Sequence, residues 1–262
     1  MSAIYDIYVD RRSFLHGLDP RVKLFGVIIG MVITFIFGSL PLVLVYYILL
    51  VAILLSAKVG MGKYLYIVKL MLPITVLIIV FWPIFYPGGG AVLFQLGPLR
   101  VSLPSLIRGV TLAIRLNCLA ILAYIFLYTT TQRQMIRGSV KLGLPYKYGT
   151  MLSISVRYIP TFGGIISMIM EAQKARGLEL EKGSFFQRIK KYVTLMVPTI
   201  ITALKIADNL AIAMESRAFG APMKKTYLID LKVKRRDLIT LFFVSSAFVL
   251  VLLTKFWLQI GI

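Results

Sequence analysis

The sequence predicts an all-α integral membrane protein, with about five transmembrane helices and long amphipathic cytoplasmic helices. Three observations predict it. Hydrophobic residues make up 59% of the 262 positions, and the mean hydropathy is +0.87, well above soluble-domain composition. Lys and Arg number 30 against 10 Asp and Glu, a formal charge of +20, and they cluster between apolar runs as the positive-inside rule requires. Residues 24–57 carry no charge at all.

The elements follow in chain order. In Leu18-Asp19-Pro20-Arg21-Val22-Lys23-Leu24, Asp19 suits a helix N-cap and Pro20 the first turn. Arg21 and Lys23 mark the cytoplasmic rim of the first span. The uncharged run 24–57 would be about 51 Å long as one helix, too long for a hydrocarbon core of about 30 Å. It breaks at Gly38-Ser39-Leu40-Pro41 into two short spans, 22–37 and 41–57. A third span occupies 65–86, with Pro73 and Pro83 inside it and Trp82, Phe85 and Tyr86 at its far end. Residues 87–104 read as an external loop, and a fourth span covers 106–131. It holds Arg115, which is either a functional intramembrane cation or one that snorkels outward or pairs with a backbone carbonyl.

From 132 the character changes. Residues 132–236 hold nineteen Lys and Arg against six Asp and Glu, a net of +13. The segment is too polar to span and too apolar for a free soluble domain. Within 145–220 two long helices are predicted. The first shows an apolar stripe at Ile154, Tyr158, Phe162, Ile165 and Ile169. The second shows one at Ile189, Val193, Met196, Ile200, Leu204, Ala207, Ala211 and Met214. Pro160 and Pro198 should kink them. Each helix ends in a similar tip, Met170-Glu171-Ala172-Gln173-Lys174-Ala175-Arg176-Gly177 and Met214-Glu215-Ser216-Arg217-Ala218-Phe219-Gly220. The first stops at Gly177, and the second is expected to run on to Gly220. A final span of 238–260 closes the chain.

The resulting division is 1–131, a membrane domain with four spans; 132–236, a basic cytoplasmic region; and 237–262, the last span. The N-terminus and the basic region then lie inside. His16 reads as a loop residue and Cys118 as core. One His and one Cys exclude an internal disulfide and cysteine or paired-histidine metal sites. No RNP-type motif points to nucleic acid.

Residue chemistry leaves the tips two readings. Arg176 and Arg217 either dock in acidic or carbonyl-lined grooves, where a planar guanidinium bonds through two donors, or serve as ordinary helix C-terminal cations.

The chain resembles the transmembrane T component of energy-coupling factor transporters, which includes the CbiQ-type subunit of cobalt and nickel importers. The matching residues are Leu18 to Leu24, Ala175-Arg176-Gly177, and Ser216-Arg217-Ala218. In the second signature the family usually has Ala-Arg-Gly.

The resemblance implies a non-catalytic scaffold joining two ABC-type ATPase subunits to a membrane S component in the plasma membrane, for vitamin or metal-ion uptake. Ala175, Arg176, Gly177, Ser216, Arg217 and Ala218 would dock on the ATPases as the ends of coupling helices. Ile154, Tyr158, Phe162, Ile165, Ile169, Val193, Met196, Ile200 and Leu204 would face the S component. ATP and Mg would reside in the ATPases, with no cofactor or metal on this chain, and no Walker motif is present.

Three other classes compete. A stand-alone secondary transporter needs internal repeats and coupling acids in its spans, and neither is found. An ordinary ABC permease would use one coupling helix per chain, not two tips. A membrane enzyme lacks a catalytic set.

Overall fold

The computed structural model describes residues 13–57, 59–86, 92–96, 99–179, 184–221 and 234–260. Its helices are α1 (Pro20–Ile36), α2 (Leu40–Ser56), α3 (Met61–Phe85), α4 (Leu103–Thr129), α5 (Gln132–Lys141), α6 (Tyr146–Ala175), α7 (Phe185–Glu215) and α8 (Arg235–Ile260). The chain divides into two units. One holds Asp6–Leu144 with Leu231–Ile262, and the other holds Pro145–Asp230.

In the first unit α4 is the central helix and packs on α1, α2 and α3. Its buried residues Cys118, Ile121, Leu122, Ile125 and Tyr128 recur at three and four residues, the seam of a helix packed along its length. Val43, Leu50 and Leu54 of α2 and Ile67 of α3 close the same core. Cys118 is fully buried there, as its apolar run predicts.

Helix α1 comes close to its neighbours at Gly30. A Cβ there would meet Leu122 Cδ2 at 2.9 Å and Tyr46 Oη at 3.0 Å. The missing side chain lets Tyr46 donate to the Gly30 carbonyl at 3.0 Å.

The uncharged run breaks where the sequence predicts, with α1 ending at Ile36 and α2 starting at Leu40. Arg115 supplies a second reason for that turn. Its guanidinium donates to the carbonyl of Phe37, the residue that caps α1. This is the backbone-carbonyl pairing expected of an intramembrane arginine with no acid nearby. Its Nε is buried without a partner among the described residues.

Two features differ from the reading of the sequence. The loop 87–104 contains an antiparallel hairpin, β1 (Val92–Leu96) and β2 (Leu99–Ser102), in which Leu96 pairs with Leu99. Val and Phe favour an extended backbone, and a two-residue connection is enough for a hairpin. Lys23 is also turned inward. It is 8% exposed, and its ammonium donates to the Thr129 carbonyl at 2.7 Å and to the His16 carbonyl at 3.3 Å.

Lys23 belongs to a polar knot that joins distant parts of the chain. Asp19 caps α1, accepting from the Arg21 backbone N–H at 3.0 Å, and forms an ion pair with the Arg21 side chain. Its own backbone N–H donates to Asp237 Oδ1 at 2.9 Å. Asp237 Oδ2 accepts from the Lys234 N–H at 2.7 Å, which caps α8. The Leu18–Leu24 motif thus fastens the first helix to the last. His16 sits in the preceding turn, with Ser13 Oγ 2.7 Å from its Nδ1.

In the second unit α6 packs on α7. The Tyr146 ring at the start of α6 lies 6.3 Å from the Phe219 ring just past α7. The Lys191 ammonium, near the start of α7, donates to the Glu179 carbonyl just past α6 at 2.6 Å. The two helices therefore run antiparallel.

By length and composition five helices can cross a membrane: α3, α4, α6, Lys191–Glu215 of α7, and α8 up to Leu253. The helix α2 is a shorter apolar one. The polarity assigned to 132–236 as a whole therefore does not extend to α6 and α7. The charges of that segment sit mainly at the helix ends and connectors, and leave long apolar middles. The short helix α5 packs on α1.

Candidate functional site

The two helix tips form the same hydrogen-bonded cap. At the end of α6 the Arg176 N–H bonds to the Ala172 and Gln173 carbonyls at 3.3 and 3.1 Å. The Gly177 N–H then donates to Lys174 at 2.9 Å, and the Leu178 N–H to Gln173 at 3.0 Å. This pair of bonds defines a Schellman motif, with Gly177 in the left-handed region at φ +87°.

At the end of α7 the Ala218 N–H donates to Glu215 at 2.9 Å, and the Phe219 N–H to Met214 at 3.0 Å. Ala218 has φ +56°. The second helix thus stops at Ala218, in the register of Gly177, and not at Gly220 as the glycine position suggests. Gly220, at φ +98°, serves a further turn closed by the Ala221 N–H on the Ala218 carbonyl at 3.2 Å. The sequence misleads here because alanine gives no left-handed signal.

Arg176 and Arg217 occupy the same cap position, immediately before the left-handed residue. Ala175, Arg176, Gly177, Ser216, Arg217 and Ala218 are all exposed. The antiparallel packing puts the two tips at opposite ends of the pair. A straight 30-residue helix such as α6 is about 45 Å long, so the guanidinium groups stand far apart. The caps satisfy the final carbonyls internally. What each tip presents is a cation at the negative end of a helix dipole.

Beside Arg217 lies a hollow of about 320 Å³ lined by Tyr146, Met214, Arg217 and Phe219. The Tyr146–Phe219 contact closes one side of it. Sequence reading passed over Tyr146. Its only signal is an aromatic residue straight after Pro145, at the start of a helix.

The predicted apolar stripes fare differently on the two helices. On α6, Ile154, Tyr158, Phe162, Ile165 and Ile169 are all half-buried. They form its partly covered face, and the Tyr158 and Phe162 rings meet at a tilt, 6.1 Å between centroids. On α7 the stripe faces out, with Val193, Met196, Ile200 and Leu204 each more than half exposed. Its covered seam is a different one, through Leu195, Thr199, Thr202, Ile206 and Leu210. Leu195 is 6% exposed. No group of acid, Cys or His side chains able to hold a metal occurs among the described residues.

Comparison with known proteins matches residues 11–228 to the family described as CbiQ, cobalt transport protein. The chain is 34% identical to the energy-coupling factor transporter transmembrane protein EcfT of Clostridium kluyveri, covering 95% of this chain and 96% of that one. It is 31% identical to EcfT of Listeria innocua, covering 96% of each chain. It is also 31% identical to EcfT of Lactococcus lactis, covering 97% of each.

Proposed function

The chain belongs to the CbiQ and EcfT family of energy-coupling factor transporter transmembrane proteins, and from that premise we propose that it works through its two arginine caps. As a multi-pass T component, it carries motion between two ABC-type ATPase subunits and a substrate-binding S component. Arg176 enters a groove on one ATPase and Arg217 enters the matching groove on the other.

One observation carries this reading: two identical caps, each with an exposed arginine at the same position, at opposite ends of an antiparallel pair. A pair of equivalent receptors needs equivalent ligands held apart, and the α6–α7 pair supplies them. The exposed face of α7, Val193 through Leu204, is the surface for the S component or the membrane interface. Ile154, Tyr158, Phe162, Ile165 and Ile169 support that surface from their half-buried positions. The caps and the basic segments face the cytoplasm in this scheme. ATP and Mg belong to the partner ATPases, and this chain is non-catalytic. The transported vitamin or metal ion is chosen by the S component.

The test is co-purification with the candidate ATPases. Arg176→Glu and Arg217→Glu should each weaken ATPase binding and coupled ATP hydrolysis. The double change should abolish both while the protein stays in the membrane. Wild-type binding and coupling in both single variants would reduce the caps to simple helix ends.

A further inference from the structure

Two cavities in the first unit share a wall. One is a slot of about 410 Å³ between α1, α2, α4 and α8, lined by residues that include Gly26, Leu50, Leu122 and Ala247. The other is an open hollow of about 870 Å³ edged by Lys234, Arg235 and Arg236 at the start of α8. Phe14, Leu18 and Ser56 line both, so the slot and the hollow adjoin along these three residues.

The polar groups along the slot are already committed. Tyr46 Oη donates to Gly30, Ser56 Oγ to Ile53, Thr129 Oγ1 to Ile125 and Thr240 Oγ1 to Arg236, all at 2.7–3.0 Å. Lys23 is held by the Thr129 carbonyl. With its hydroxyl donors spent and its lining mostly aliphatic, the slot suits hydrocarbon more than a polar solute.

The hollow has the opposite character. Lys234, Arg235 and Arg236 are exposed, and none of their side chains forms an ion pair among the described residues. Asp237, next in sequence, is 1% exposed and spends both oxygens on the Asp19 and Lys234 N–H groups. An apolar slot opening on three cations is complementary to an anionic amphiphile.

We propose that this joint cavity binds one anionic membrane phospholipid, with an acyl chain in the slot and the phosphate against Lys234, Arg235 and Arg236. Basic pockets between transmembrane helices recognise such headgroups by charge, and the slot adds a place for the chain. The lipid then bridges α8 to α1 and α2 beside the Asp19–Asp237 bond.

The experiment is native mass spectrometry of the full chain with its partners. The complex is extracted from bilayers containing equal phosphatidylglycerol and phosphatidylcholine. Wild type should retain one phosphatidylglycerol in roughly hundred-fold preference, the scale that three basic residues near an anionic membrane surface provide. The triple change Lys234→Gln, Arg235→Gln, Arg236→Gln should bring that retention down to the phosphatidylcholine level. Gly26→Leu should remove retention of both lipids. A Cβ at Gly26 meets nothing within 4 Å, and Gly26 lines the slot, so leucine adds bulk at the slot wall with no clash at its Cβ. If that variant does not accumulate, Ala247→Phe blocks the slot from α8. Equal retention of the two lipids in wild type, or wild-type retention in the triple or slot-filling variant, overturns the proposal.

Discussion

Gly177 and Ala218 occupy the same position of the same cap, at φ +87° and φ +56°. Glycine takes that conformation freely, whereas an L-residue with a Cβ is disfavoured by about 1–2 kcal/mol. The second tip therefore holds strain that the first does not.

Exchanging the two residue types should give effects of opposite sign. Ala218→Gly removes the left-handed penalty but adds unfolded-state freedom, for a net gain of about 0.5 kcal/mol. Gly177→Ala should lose about 1 kcal/mol, since a Cβ there meets nothing and only the backbone term remains. Amide hydrogen exchange at Phe219 and Leu178, the donors that close the two caps, reads this directly. Slower exchange at Phe219 in Ala218→Gly is the expected result, and unchanged exchange would mean the cap is not strained.

The close approach at Gly30 leads to a second expectation. Gly30→Ala puts a methyl group against Leu122 and Tyr46 at 2.9 and 3.0 Å. Overpacking of this kind costs about 1–3 kcal/mol. Thermal unfolding in detergent should show the loss. Gly26→Ala, which meets nothing within 4 Å, should show none. Equal behaviour of the two variants would remove Gly30 as the contact point of α1, α2 and α4.

Asp237 should be among the most sensitive polar positions. Asp237→Ala leaves two backbone N–H groups without their acceptor, a loss of about 2–3 kcal/mol because those bonds are to a charged group. Asp237→Asn keeps one acceptor oxygen and should lose less. Proteolysis of the membrane-inserted protein near the start of α8 would report the loosening. Protection equal to wild type in Asp237→Ala would contradict the knot.

For Arg115 two terms oppose each other. Replacing the arginine with methionine leaves the Phe37 carbonyl without its donor but also removes a buried Nε that has no partner among the described residues, and since each unsatisfied buried group costs about 1–3 kcal/mol the two terms largely cancel. Arg115→Met should therefore keep both folding and coupled ATP hydrolysis. A variant that folds normally but no longer couples would place Arg115 in the transport machinery instead.

Local signals in the sequence were sufficient for most of the helices. Asp19-Pro20 started α1, Gly38 to Pro41 separated α1 from α2, and Gly177 ended α6, because each acts through its own backbone preference. What stayed hidden depends on partners far along the chain. Asp19 and Asp237 are 218 residues apart, and nothing local marks either as a link between first and last helices. Lys23 looked like a rim cation because its inward partner, a helix-end carbonyl, has no residue-type signature. The α6 stripe was found but not its partial covering. The α7 stripe was found, yet its covered seam, rich in Thr199 and Thr202, is less apolar than the face left open. Hydrophobicity alone therefore pointed to the outer face of α7, not to the one that packs.

The antiparallel pairing of α6 and α7 has a mechanical consequence. Opposed forces applied at its two ends form a couple when their lines of action are offset. Such a load produces torque with no net push on the whole. Two docking partners closing on offset caps would twist the helix pair about its middle, where Pro160 and Pro198 each remove a backbone donor from the helical ladder. Under such a load the pair would bend near these prolines, as a scissor and not as a strut.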